Sequence, residues 1–206
     1  MEVSYAVLLP MKPPGRGKTR LGDLPRDLLA SAFAMDTASA CLAATSVARV
    51  LAVTDDASFA SDLSALGCEA IPDGVSGDLN ASLSLAAMEA VRRWPGLVPV
   101  AICADLPALL PADLDSALAQ RPGWPRFVVD ASGDGTTLYS APIEEFAPRF
   151  GVRSATRHEA GGAWPVEGDL ATLRRDVDDA ADLRAAVELG VGAQTARAVA
   201  ALPRTS

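Results

Sequence analysis

Two rhythms of apolar and polar positions alternate along the chain. "SYAVLLP" (4–10), "VARVLAVT" (47–54), "LVPVAICA" (97–104) and "RFVVDA" (126–131) are short and apolar at nearly every position. Strands with no polar face suit a sheet covered by helices on both sides, which is usually parallel. Between them, "PRDLLASAFAMDTASACLAA" (25–44), "SFASDLSALG" (58–67) and "LNASLSLAAMEAVRRW" (79–94) repeat apolar residues at helical spacing. Asp56 or Ser58 suits the start of the second helix and Gly67 its end. Further on, "GDGTTLYSAP" (133–142) reads as a turn into another strand, and "DDAADLRAAVELG" (178–190) as a helix closed by Gly190. The pattern predicts a single α/β domain over residues 1–206: a Rossmann-like, mixed but mostly parallel sheet with helices on both faces and right-handed crossovers. The tail from about residue 203 is expected to be disordered.

Composition narrows the partners. Half of the 206 residues are hydrophobic and the formal net charge is -8, so a packed core is expected. A general binder of nucleic acid or of anionic membranes is not, because such binding rests on distributed Lys and Arg. Cys41, Cys68 and Cys103 lie far apart, with His158 as the lone imidazole, which argues against a zinc site or a disulfide framework and for small buried side chains in a reducing compartment. The N-terminal apolar run stops at Pro10, too short for a spanning helix or a signal peptide, so the expected location is cytoplasmic.

Against that negative balance, "LLPMKPPGRGKTRL" (8–21) carries Lys12, Arg16, Lys18 and Arg20 immediately after the first strand. A phosphate-binding P-loop would need glycine where Lys12 stands, and Pro13 and Pro14 remove N–H groups that such a loop uses. The dinucleotide pattern G-x-G-x-x-G fails at Arg20. A solvated basic loop is the plain reading of such a run. Its concentration in an acidic chain favours a local polyphosphate site, with the cations acting as point charges and forks.

Acidic residues complement it. Asp105 follows the third apolar run in "AICADLPAL", and Asp176 and Asp178 are two apart, so an extended segment would project both carboxylates from one face. Taken singly, Asp105 could be a turn residue, and Asp178 or Asp179 a helix cap. Taken together, three aspartates beyond strand ends form the oxygen-rich donor set that Mg2+ prefers. His158, in "SATRHEAG", is expected on a helix surface. Without a nucleophile elbow or a Cys–His pair, an enzyme here would work by positioning and charge neutralisation. Nucleotidyl transfer to a phosphate monoester fits, because such a phosphate, with a second pKa of about 6, is already a nucleophile at neutral pH.

The strand followed by "PMKPPGRGKTRL", then "GDLNASL", "ADLPAL", "GTTLY", "FGVRSATRH" and "DVDDAADL", resembles the family of phosphoenolpyruvate and 2-phospho-L-lactate guanylyltransferases in coenzyme F-420 biosynthesis, from about residue 5 to residue 190. The resemblance implies a nucleotidyltransferase-like fold and Mg2+ as cofactor. It implies that Lys12, Lys18 and Arg20, in the K-x5-K-T-R-L pattern, hold the GTP phosphates, and that Asp105, Asp176 and Asp178 bind metal. Thr136, Gly151 and Ser154 match acceptor-binding positions, with Arg153 nearby. Ser154 and the N–H groups that open a helix after Gly151 would make an anion site, although Ser154 could simply cap that helix. Asn80 and Ser82 are expected to line the nucleotide pocket. The Pro13-Pro14-Gly15 run departs from the small apolar residues of relatives.

The expected reaction transfers GMP from GTP to the phosphate of phosphoenolpyruvate, giving enolpyruvyl-diphospho-guanosine and pyrophosphate. The same reaction on 2-phospho-L-lactate or 3-phosphoglycerate is the alternative. A molybdopterin or sugar-phosphate nucleotidyltransferase would carry L-x-G-G-x-x-x-R after the first strand, where this chain has Pro10-Met11-Lys12. A regulatory nucleotide-binding module that has lost catalysis would have little use for three buried carboxylates. GTP and a phosphorylated three-carbon acid are the expected partners, with room for a homodimer and a downstream deazaflavin transferase that takes the product.

Overall fold

The computed structural model describes residues 3–11, 26–75 and 77–202. The first strand, β1 (Tyr5–Pro10), is followed by α1 (Arg26–Ala43), β2 (Val47–Val53), α2 (Ala57–Leu66), β3 (Glu69–Ile71), α3 (Leu79–Arg93) and β4 (Val98–Ile102). The second half runs α4 (Pro111–Ala119), β5 (Arg126–Val129), β6 (Thr136–Ser140), a 3-10 turn at Ile143–Glu145, α5 (Ser154–Ala160), β7 (Trp164–Pro165), α6 (Ala171–Arg174), α7 (Ala180–Leu189) and α8 (Ala193–Ala200).

The described strands form one sheet in the order β3-β2-β1-β4-β6-β5-β7. Its first four strands are parallel; β1, β4 and the second half of β2 are buried on both faces, as their unbroken apolar runs require, and the short β3 lies at the less buried edge. Tyr5, Val7 and Leu9 point to one side, where Ala34, Ala38 and Cys41 of α1 and Leu114, Ala117 and Leu118 of α4 meet them. Ala6 and Leu8 point to the other side, against Leu83, Ala86, Ala87 and Ala90 of α3. Each leucine buried in this way contributes about 1.5–3 kcal/mol.

The run at 126–131 keeps the direction of β1, β2 and β4 but does not pair with them. β6 inserts between β4 and β5, antiparallel to both. The cause is local: the Asp130 carboxylate accepts hydrogen bonds from Ser132 Oγ and from the N–H groups of Gly133 and Asp134, closing a short turn that returns the chain as a hairpin.

Several caps match expectation. Asp56 accepts from Phe59 N at the start of α2, and Gly67 ends it in the left-handed region at φ 115°. Asp179, not Asp178, caps α7 through a reciprocal capping box with Asp182. The C-terminal α8, beyond the reach of the sequence pattern, is anchored from outside itself. Asp36 of α1 accepts from Gln194 N and Thr195 N at 3.0 and 2.7 Å. A Cβ added at Gly192 would run into that carboxyl group, so only glycine permits the approach.

Of the cysteines, Cys41 and Cys68 are buried as expected, and burial pushes the Cys68 thiol up to about 11. Cys103 is only half-buried, with its Sγ 3.4 Å from the Thr136 carbonyl oxygen. None of the described helices is long and apolar enough to cross a membrane.

Candidate active site

The chain leaves β1 toward β2 and β3 on one side of the sheet and resumes at β4 on the other, so β1 and β4 flank the point where strand order reverses. In open α/β sheets the ligand crevice lies at the carboxyl ends of such a pair. Met11 continues β1 by donating its N–H to the Val53 carbonyl oxygen at 2.9 Å, and the basic stretch begins directly after it. Lys12, Lys18 and Arg20 themselves lie outside the described residues.

Across the switch point, Asp105 follows β4. Its carbonyl oxygen accepts from Val177 N at 3.0 Å, which lays residues 176–178 along the end of that strand. Val177 is fully buried against Phe33 and Leu183. Its inward side chain leaves Asp176 half-buried and Asp178 exposed on either side of it, the alternation expected of an extended segment. Backbone contact therefore brings the two segments that carry the three aspartates to one strand end, although among the described residues no three His, Cys, Asp or Glu side chains are grouped so as to hold a metal ion.

β6 is antiparallel to β4, so its first residue, Thr136, arrives at the same edge. Cys103 N donates to the Thr137 carbonyl oxygen at 2.8 Å, tying the two strand ends together. Thr136 is buried, and its Oγ1 lies 3.0 Å from His158 Nδ1. His158 also accepts from Arg149 N through Nε2, at 2.9 Å.

The surface location expected for His158 is therefore corrected. Its ring is 1% exposed, stacked on Tyr139 at 4.7 Å and on Phe127 at 5.6 Å, with Phe150 edge-on at 5.4 Å. The reason is helix phase: His158 lies four residues after Ser154, on the face of α5 that packs against β5 and β6. Burial, with Arg149 and Arg157 nearby, lowers its pKa to about 4 despite the opposing Ser154 carbonyl.

Gly151, Arg153 and Ser154 follow in the same loop. Gly151 has φ 119°, where a side chain is strained, and Arg153 is left-handed at φ 51°. Arg153 occupies the position before α5 without a side-chain cap, so Ser154 is the first helical residue and not the cap. Ser154 is buried, and Ala155 N is spent on the Asp134 carbonyl oxygen at 3.1 Å, so fewer N–H groups remain for an anion than the sequence implied. Val152, 83% exposed, forms the tip.

Asn80 and Ser82 act on loops. Asn80 Oδ1 accepts from Phe150 N at 2.8 Å while its Nδ2 donates to the Phe150 carbonyl oxygen at 3.0 Å. This two-point pairing fastens the 149–154 loop to the start of α3. Ser82 is buried and its Oγ donates to the Asp73 carbonyl oxygen at 3.3 Å. The sequence points to Asn80 for the nucleotide pocket and to His158 for a helix surface; the contacts they make, Asn80 with the Phe150 backbone and His158 with Thr136 Oγ1 and Arg149 N, carry no local signal.

The chain is 45% identical to the phosphoenolpyruvate guanylyltransferase of Thermomonospora curvata, over all of this chain and 92% of that protein. It is 44% identical to the protein of the same name from Streptomyces coelicolor, over 97% of this chain and 98% of that one. Among solved structures, a nucleotidyl transferase from Methanothermobacter superimposes with a TM-score of 0.57 at 17% identity, covering 92% of this chain and 98% of that one, which is a likeness of fold. No protein-family model matches the chain.

Proposed function

The chain belongs to the phosphoenolpyruvate guanylyltransferase family, and on that premise we propose that it transfers GMP from GTP to the phosphate of phosphoenolpyruvate. An oxygen of the acceptor phosphate attacks the α-phosphorus of GTP, the bond to the β-phosphate oxygen breaks, and pyrophosphate leaves. No general base is needed, because the acceptor is already ionised near neutral pH. This suits an edge whose lone histidine is buried with a pKa of about 4.

The observation that carries this reading is the Val177–Asp105 backbone bond. It brings Asp105, Asp176 and Asp178 to the strand end beside Thr136 and opposite the point where the basic stretch leaves β1. The all-oxygen, hard donor set fits a divalent cation such as Mg2+, which these three residues would hold. Such a cation, when bound, offsets charge on the triphosphate that otherwise repels the acceptor. In this reading Lys12, Lys18 and Arg20 hold the β- and γ-phosphates, and Thr136, Gly151, Arg153 and Ser154 receive the acceptor. Asn80 and Ser82 shape the nucleotide side through the loops they hold.

Pyrophosphate release from GTP with each candidate acceptor tests the proposal. Phosphoenolpyruvate should give the highest kcat/KM. Equal or better turnover with 2-phospho-L-lactate or 3-phosphoglycerate would displace it as the acceptor.

A further inference from the structure

His158 is the only histidine of the chain, and its two ring nitrogens have different neighbours. Arg149 N, a group that can only donate, lies 2.9 Å from Nε2. Nε2 must therefore be bare, and in the neutral ring the proton sits on Nδ1. From there it faces Thr136 Oγ1 at 3.0 Å, with the Ser154 carbonyl oxygen as a second acceptor beside it. The opposite tautomer would set two N–H groups against each other. Phe127, Tyr139 and Phe150 pack around the ring.

The consequence falls on Thr136. Its oxygen accepts from Nδ1–H, so its own hydrogen remains to be donated. No protein acceptor for that hydrogen occurs among the described residues, although Thr136 is only 5% exposed. A hydroxyl so placed calls for a group that accepts only, and a phosphate or carboxylate oxygen is one.

We propose that His158 is a positioning residue for the acceptor: by keeping its proton on Nδ1 it reserves the Thr136 hydroxyl as a donor to an oxyanion of the phosphorylated acid. By accepting the Arg149 N–H it also holds the strand-side end of the 149–154 loop, whose other side Asn80 fastens. The inference rests on the reading of Thr136 as an acceptor-binding residue.

Two experiments test it. The first is 15N NMR of the imidazole in the unaltered protein, where a single histidine makes assignment direct. The Nδ1–H tautomer is expected at neutral pH, with the Nδ1 resonance moving when phosphoenolpyruvate is added to the GTP-bound protein. An Nε2–H tautomer, or a ring blind to phosphoenolpyruvate, overturns the proposal. This experiment decides even if the variants do not fold.

The second is kinetic. His158→Phe keeps the stacked ring but removes both hydrogen bonds, and should raise KM for phosphoenolpyruvate about tenfold while KM for GTP stays within about twofold. Thr136→Val should act in the same direction, and the double variant should be little worse than the worse single one. Equal rises in both KM values, or additive effects, would mean a merely structural ring. If Thr136→Val leaves the acceptor KM unchanged, the acceptor reading falls and this inference with it. If Thr136→Val raises it and His158→Phe does not, the inference alone falls.

Discussion

Val177 donates its backbone N–H to the carbonyl oxygen of Asp105 at 3.0 Å, so two acidic segments far apart in sequence share one end of the sheet. Because the bond is between backbones, the aspartate side chains can be changed without breaking it.

Asp105→Asn and Asp178→Asn should each lower kcat by roughly 100-fold or more, the scale expected when charge stabilisation at a phosphoryl-transfer site is lost. Their melting temperatures should stay within a few degrees of the parent. Pyrophosphate release and thermal unfolding, measured on the same preparations, check both halves. A chelator of divalent cations should reproduce the loss in the unaltered protein. Full activity in both variants would remove the aspartates from the metal assignment.

Protonation of His158 should cost stability in acid. Its folded pKa of about 4 lies below the ordinary value of 6.5, so the neutral ring is the form the fold prefers. That preference is fully present above about pH 6.5 and is lost as pH falls through 4, a contribution of up to about 3 kcal/mol. Urea unfolding of the parent and of His158→Phe between pH 7 and 4 isolates it from other titrating groups. The stability gap between them should be constant above pH 6.5 and should narrow below it.

Gly151→Ala puts a side chain at φ 119°, a strain of about 1–3 kcal/mol. The loop should shift, and KM for the acceptor should rise more than KM for GTP. Steady-state kinetics with each substrate varied in turn gives the comparison.

Asp36→Ala should loosen α8 without touching the candidate site. Gln194 N and Thr195 N lose their acceptor, at a cost of about 1–3 kcal/mol. Gly192→Ala, which drives a Cβ into the same carboxyl group, should resemble it. Thermal unfolding and limited proteolysis near the C-terminus report the change, and acceptor KM should be unaltered.

The local signals were strong where one segment contains its own reason. Apolar runs marked β1, β2, β4 and β5, helical periodicity marked α1, α2, α3 and α7, and the caps at Asp56 and Gly67 could be read from their neighbours alone. Elements whose stability comes from elsewhere escaped: β3 is three residues at an edge, β7 two, and α8 owes its start to a carboxylate on α1. The hairpin that reverses β6 depended on Asp130 closing its turn, which the turn residues suggested without giving the pairing.

By itself the sequence determined an α/β domain, the order of its main strands and helices, and a set of anionic candidates beyond strand ends, because period, composition and spacing act over a few residues. Tertiary structure alone decided that Asp105 and Val177 meet, that His158 is buried behind Thr136, and that Asn80 grips the backbone of Phe150. Those outcomes are contacts between residues far apart in sequence, backbone to backbone for Asp105 and Val177, side chain to side chain for His158 and Thr136, and side chain to backbone for Asn80 and Phe150, so no pattern over a few neighbouring residues announces them.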